Sequence, residues 1–130
     1  MPDESPCPFC FLPQERVVRA SKCAIAFYDG FPVAKGHGLV IPMRHVQSVS
    51  ELSEAEYSGL WEMVREFREA LAAEYNPDGF NIGVNDGWAA GQTVAHAHVH
   101  LIPRYEGDVT DPRGGVRWVI PKKAPYWTKP

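Results

Sequence analysis

At 130 residues and 45% apolar, the chain is long enough to bury one core and reads as a single domain over 1–130. Its net charge of −3 offers no basic field for nucleic acid, and no apolar run reaches the roughly 18 residues that would suggest a membrane span. The acidic opening Met1-Pro2-Asp3-Glu4-Ser5 lacks an apolar segment and argues against secretion, and an odd count of three cysteines argues for reduced thiols, so the expected location is cytoplasmic.

Cys7-Pro8-Phe9-Cys10 stands in an N-terminal segment, 1–15. A redox pair usually opens a helix after a strand, and Pro13 close behind weakens that reading. Half of a metal site is the other option, with histidines available later. Cys23-Ala24-Ile25-Ala26-Phe27-Tyr28 predicts a strand with Cys23 as a small core residue, and Asp29-Gly30-Phe31-Pro32 a turn. His37-Gly38-Leu39-Val40-Ile41-Pro42 predicts a second strand ended by proline, with Arg44-His45 just beyond.

Ser53-Glu54-Ala55-Glu56 is a capping box. Tyr57, Leu60, Trp61, Val64, Phe67, Leu71 and Tyr75 then recur at spacings of three and four, which predicts one amphipathic helix stopped by Asn76-Pro77-Asp78-Gly79. Glu62, Arg65, Glu66, Arg68 and Glu69 form its solvated face. Phe80, Ile82 and Val84 alternate with Asn81, Gly83 and Asn85 as a third strand. The Gly-rich loop Asp86–Gly91 leads through Gln92-Thr93-Val94 into a fourth strand and has the composition of a phosphate cradle. The tail, 105–130, is irregular and carries Trp118, Tyr126 and Trp127, large aromatics that need a surface to dock on.

That fourth strand is His96-Ala97-His98-Val99-His100-Leu101-Ile102, whose period of two puts only imidazoles on one face. At about 3.3 Å per residue, His96 and His100 start roughly 13 Å apart, too far for all three rings to hold one metal on an intact strand. The three histidines are therefore expected to have different tasks, and a tri-histidine metalloenzyme is disfavoured.

These residues resemble the defining motif of the histidine-triad (HIT) nucleotide hydrolases and transferases. Lys35-Gly36-His37-Gly38-Leu39-Val40-Ile41-Pro42 and Asn85-Asp86-Gly87 with Ala90-Gly91-Gln92-Thr93-Val94 resemble further blocks of that family. Leu101-Ile102-Pro103-Arg104 resembles the strand exit of its bacterial, dinucleoside polyphosphate-hydrolysing branch. The resemblance implies an α+β fold with a five-stranded antiparallel sheet, one long helix and a short one, and a homodimer with two sheets side by side. It implies that His98 attacks the α-phosphorus of a nucleotide and forms a covalent nucleotidyl-histidine, with His100, Gln92 and His37 assisting. Tyr28, Asp29, Phe9, Asn85, Gly91, Gln92 and Thr93 would bind the substrate. Cys7, Cys10, His45 and His96 match a set that holds structural zinc in some members. The alternatives within this reading are nucleoside phosphoramidate hydrolysis, nucleotidyl transfer, or a nucleotide-binding signalling protein with weak catalysis.

Overall fold

A computed structural model describes residues 6–127; the acidic opening at 1–5 and the end of the tail at 128–130 lie outside the described residues. Five strands form one antiparallel sheet: β1 (Val17–Ala20), β2 (Ala24–Tyr28), β3 (Gly38–Pro42), β4 (Gly79–Val84) and β5 (Val99–Arg104), in the spatial order β1-β2-β3-β5-β4. Between β3 and β4 runs the long helix α1 (Glu54–Tyr75), and the remaining short elements are 3-10 turns, which is the form the expected short helix takes.

Both ends of α1 are legible in sequence. The Ser53 hydroxyl accepts from the Glu56 amide while the Glu56 carboxylate accepts from the Ser53 amide, closing the predicted box. Asn76 ends the helix in the left-handed region at φ 49°, its N–H bonded to the Ala72 carbonyl. Leu60, Met63, Val64, Phe67 and Leu71 are buried, each contributing roughly 2 kcal/mol by leaving water. Met63 joins the predicted stripe, whereas Tyr57 is half exposed.

The stripe packs on one face of the sheet, against Ala24, Ala26, Val40, Val99 and Leu101. Gly38 permits this closeness, since a Cβ there would collide with the Phe67 ring. Because strand side chains alternate, the next residues along face the other way. Phe27, Leu39 and Ile41 form a second cluster there, covered by Phe9 and Leu12 of the N-terminal segment. The sheet thus has a helix face and a face that the helix leaves open, partly covered by the N-terminal segment, and His98 and His100 lie on this second face.

One strand escapes the sequence pattern and one boundary is corrected. β1, Val17-Val18-Arg19-Ala20, is a largely exposed edge strand that no sequence alternation announces. β5 begins at Val99, three residues later than the histidine alternation predicts. The approach to it is held differently, by the Ala97 N–H donating to the Val46 carbonyl at 2.7 Å.

Candidate functional site

The three histidines take three different environments, and their partners fix which ring nitrogen carries the proton when the ring is neutral. The His98 Nδ1 lies 2.8 Å from the carbonyl of His96. A carbonyl only accepts, so Nδ1 carries the proton and Nε2 of the neutral ring keeps a bare lone pair. The His96 Nε2 lies 3.0 Å from the Pro42 carbonyl and must likewise donate, leaving its Nδ1 lone pair free. That nitrogen faces Cys7 Sγ at 3.4 Å, Cys10 Sγ at 3.6 Å and His45 Nδ1 at 3.2 Å.

The third environment is a chain of imidazoles. The Val33 N–H donates to His37 Nδ1 at 3.1 Å, so the neutral His37 ring carries its proton on Nε2. That Nε2 lies 3.0 Å from His100 Nδ1, which then accepts, and His100 presents an Nε2–H. Burial first, then the neighbouring His98 and His37, depress the His100 pKa to about 4. Burial also lowers His37, opposed by the Asp29 carboxylate. The 3.4 Å contact between His37 Nε2 and Asp29 Oδ2 is therefore made by a neutral ring near pH 7.

Cys7, Cys10, His45 and His96 place their ligand atoms within 4.8 Å of one another. Two thiols and two imidazoles are a donor set that suits zinc. Partial desolvation raises the Cys10 thiol pKa, and the adjacent Cys7 adds to it through its hydrogen bond and charge. A bound cation reverses that bias, since ligands bind deprotonated. The Arg44 guanidinium forks onto Glu56 through Nε and Nη2, each at 2.9 Å, which anchors the residue next to His45 to the start of α1.

The remaining predicted residues divide. Phe9 sits edge-on to His98 with ring centroids 5.2 Å apart, and edge-on to Phe27 at 5.4 Å. Asp29 caps its own turn by accepting from the Phe31 N–H at 2.8 Å and stands beside His37. Asn85 directly follows the last residue of β4, Val84, which packs on the helix core. Thr93 is exposed.

Three expectations fail at this level. Tyr28 is on the wrong face for a ligand shared with His98: its ring packs on Phe67 and Tyr75, and its hydroxyl donates to Glu74 at 3.1 Å. Gln92 is 1% exposed and spends its amide within the chain, donating to the carbonyls of Gln47 and Val94 and accepting from the Gly87 N–H. The N–H groups of Gly91 and Gln92 are also spent, on Trp88 and Gly87 carbonyls, so they do not form a cradle. Sequence reading missed the groups that set the tautomers, Pro42 and Val33, because a backbone carbonyl or amide leaves no residue-type signal. Arg104 is withdrawn from the site as well, held by Asp108 and Asn81.

The HIT domain family model matches residues 13–107. A bis(5'-nucleosyl)-tetraphosphatase [asymmetrical] of Schizosaccharomyces pombe is 38% identical over 96 residues, which cover 74% of this chain and about half (53%) of that protein. The crystal structure of a HIT family protein from Bacillus anthracis superposes with a TM-score of 0.72 at 41% identity, covering 78% of this chain and 74% of the other. A Zn-bound histidine triad family protein from Mycobacterium smegmatis superposes with a TM-score of 0.72 at 30% identity, covering 81% and 79%.

Proposed function

The chain belongs to the HIT family, and from that we propose that it is a hydrolase of dinucleoside polyphosphates or related nucleotides, cutting at the α-phosphate through His98. The observation that carries the reading is the His98 Nδ1 contact with the His96 carbonyl, which leaves the Nε2 of the neutral ring with a bare lone pair. Nε2 forms a bond to the α-phosphorus as the bond from phosphorus to the bridging oxygen breaks, and the leaving phosphate takes that electron pair. Water then attacks the same phosphorus, the N–P bond breaks, and its electron pair returns to Nε2. One water is consumed, a nucleoside monophosphate is released, and the excess proton passes to solvent.

The His100 Nε2–H, oriented by His37, is the donor placed to meet the phosphoryl oxygens as charge builds on them. Kept neutral by burial, His100 donates without competing as a base. Asp29 is assigned to the ribose hydroxyls, Asn85 and Thr93 to phosphate, and Phe9 to the base beside His98. Gly91 and Gln92 serve by shaping the loop, not by touching phosphate.

Cys7, Cys10, His45 and His96 would hold structural zinc, which when bound crosslinks the N-terminal segment to the approach of β5. A cytoplasmic homodimer completes the proposal. Among the described residues β4 is an edge strand of the sheet, with Ile82 37% exposed, which is compatible with pairing to a second copy.

Rapid quench with α-labelled dinucleoside polyphosphate tests the chemistry. Wild-type protein should pass through an acid-labile labelled form, and His98→Asn should bind substrate yet carry no label and release no monophosphate. Persistent label or turnover in His98→Asn overturns the assignment.

A further inference from the structure

Outside the histidine cluster, a cavity of about 880 Å³ lies between the far end of β5, the loop at 33–35 and the C-terminal tail. We infer that this cavity takes the second nucleoside, the leaving half, of a dinucleoside polyphosphate. The inference deepens the hydrolase reading and rests on it.

Position is the first argument. His98, His100 and Ile102 follow one another on the open face, and Ile102 lines the cavity. Four steps along the chain put Ile102 at most roughly 13 Å from His98, a span suited to the phosphates and ribose that separate an α-phosphorus from a distant base. The opposite wall begins at Val33, the residue whose amide fixes His37. The volume falls in the range of small-ligand sites, roughly 300–1,000 Å³, and so has room for a nucleoside.

Chemistry is the second argument. Tyr75, Tyr105 and Trp118 give the cavity an aromatic lining, and a base offers a π-face to each. Two of the rings are held in advance. The Tyr105 hydroxyl donates to the Lys35 carbonyl at 2.7 Å, and the Trp118 Nε1–H donates to the Arg113 carbonyl at 2.8 Å. Pre-set rings stack without losing rotamer freedom.

Charge is the third. The two acidic side chains in the lining are neutralised, Asp108 by Arg104 and Asp111 by Arg113. Lys35 lines the cavity, is exposed and has no ion pair among the described residues, so its ammonium is available to a phosphate chain. Stacking rings with no base-edge code predict tolerance of any base in the leaving half.

The test compares two substrates on the full chain: diadenosine tetraphosphate, and adenosine 5′-phosphoramidate, whose leaving group carries no nucleoside. Trp118→Ala should raise KM for the tetraphosphate about tenfold. The phosphoramidate should stay within about twofold of wild type on both kcat and KM. Trp118→Phe should restore most of the loss, and Lys35→Met should raise KM for the tetraphosphate alone. Equal losses on both substrates, or no loss on the tetraphosphate, overturn the inference. Binding separates this from the hydrolase reading. If wild-type protein hydrolyses neither compound, that reading fails, and titration still decides the cavity. Diadenosine tetraphosphate binding no tighter than AMP, or binding tighter by a margin that Trp118→Ala leaves intact, refutes it.

Discussion

Replacing Gln92 with leucine separates a structural from a chemical part for this residue. The Gln92 side chain is 1% exposed and makes three hydrogen bonds, to the Gln47 carbonyl at 2.9 Å, the Val94 carbonyl at 3.0 Å and the Gly87 amide at 2.9 Å. Leucine keeps the volume and leaves two acceptors and one donor without partners. An orphaned buried polar group costs about 1–3 kcal/mol, and water can reach some of these loop groups, so the net loss should be about 3 kcal/mol. For a chain of this size that lowers the melting temperature by about 10 °C. Because the loop leads directly into His96 and His98, kcat should fall by a similar factor for every leaving group. Melting by calorimetry and kcat across leaving groups of different basicity check both parts. An unchanged melting temperature, with a kcat loss that grows as the leaving group becomes more basic, would show that Gln92 donates to the departing oxygen and would refute this reasoning.

Acid should destabilise the fold between about pH 6.5 and pH 4. The pKa of His100, about 4 when folded and about 6.5 when unfolded, means the unfolded chain binds more protons in that window, so stability is complete above it and falls as pH drops through it. The His100 share is at most about 3 kcal/mol, and urea midpoints should become flatter with pH in His100→Asn. Removing metal with a chelator should lower the melting temperature of wild-type protein, and Cys7→Ser should reproduce the shift without adding to it; protein that carries no zinc by elemental analysis and ignores added zinc would overturn the metal assignment.

How much of this was legible in sequence depends on what kind of signal each feature leaves. Helix α1 was readable to both ends, because a capping box, a 3.6-residue stripe and an Asn stop are all carried by residue type. β1 was not, because an exposed edge strand needs no apolar alternation. The family motif singled out histidines that the fold does bring together, but it put Tyr28 with them, and the strand pattern itself held the correction. Ile25 and Phe27 belong to one face of β2, so Tyr28, one step from Phe27, had to point to the other. The tail offers no period at all. Its course follows from Gly114 in the left-handed region at φ 94° and from pairings such as Arg113 over the Trp127 ring, which no local pattern encodes.

The separation of tasks among three closely spaced histidines has a single backbone cause. On a regular strand their side chains would all project to one face, in a row too long to share one ligand but with nothing to turn the rings to separate partners. Here pairing is delayed until Val99, and the two preceding rings answer to different carbonyls. His96 is turned by Pro42 so that its free nitrogen joins the cysteines. His98 is turned by the carbonyl of His96 itself. The residue whose ring belongs to the thiol cluster thus supplies, through its main chain, the acceptor that holds the neighbouring ring in its nucleophilic tautomer. A disturbance of the cluster that shifts the His96 backbone reaches His98 through one hydrogen bond. For that reason the metal-site variants should lose some turnover along with stability, while His98→Asn loses turnover alone.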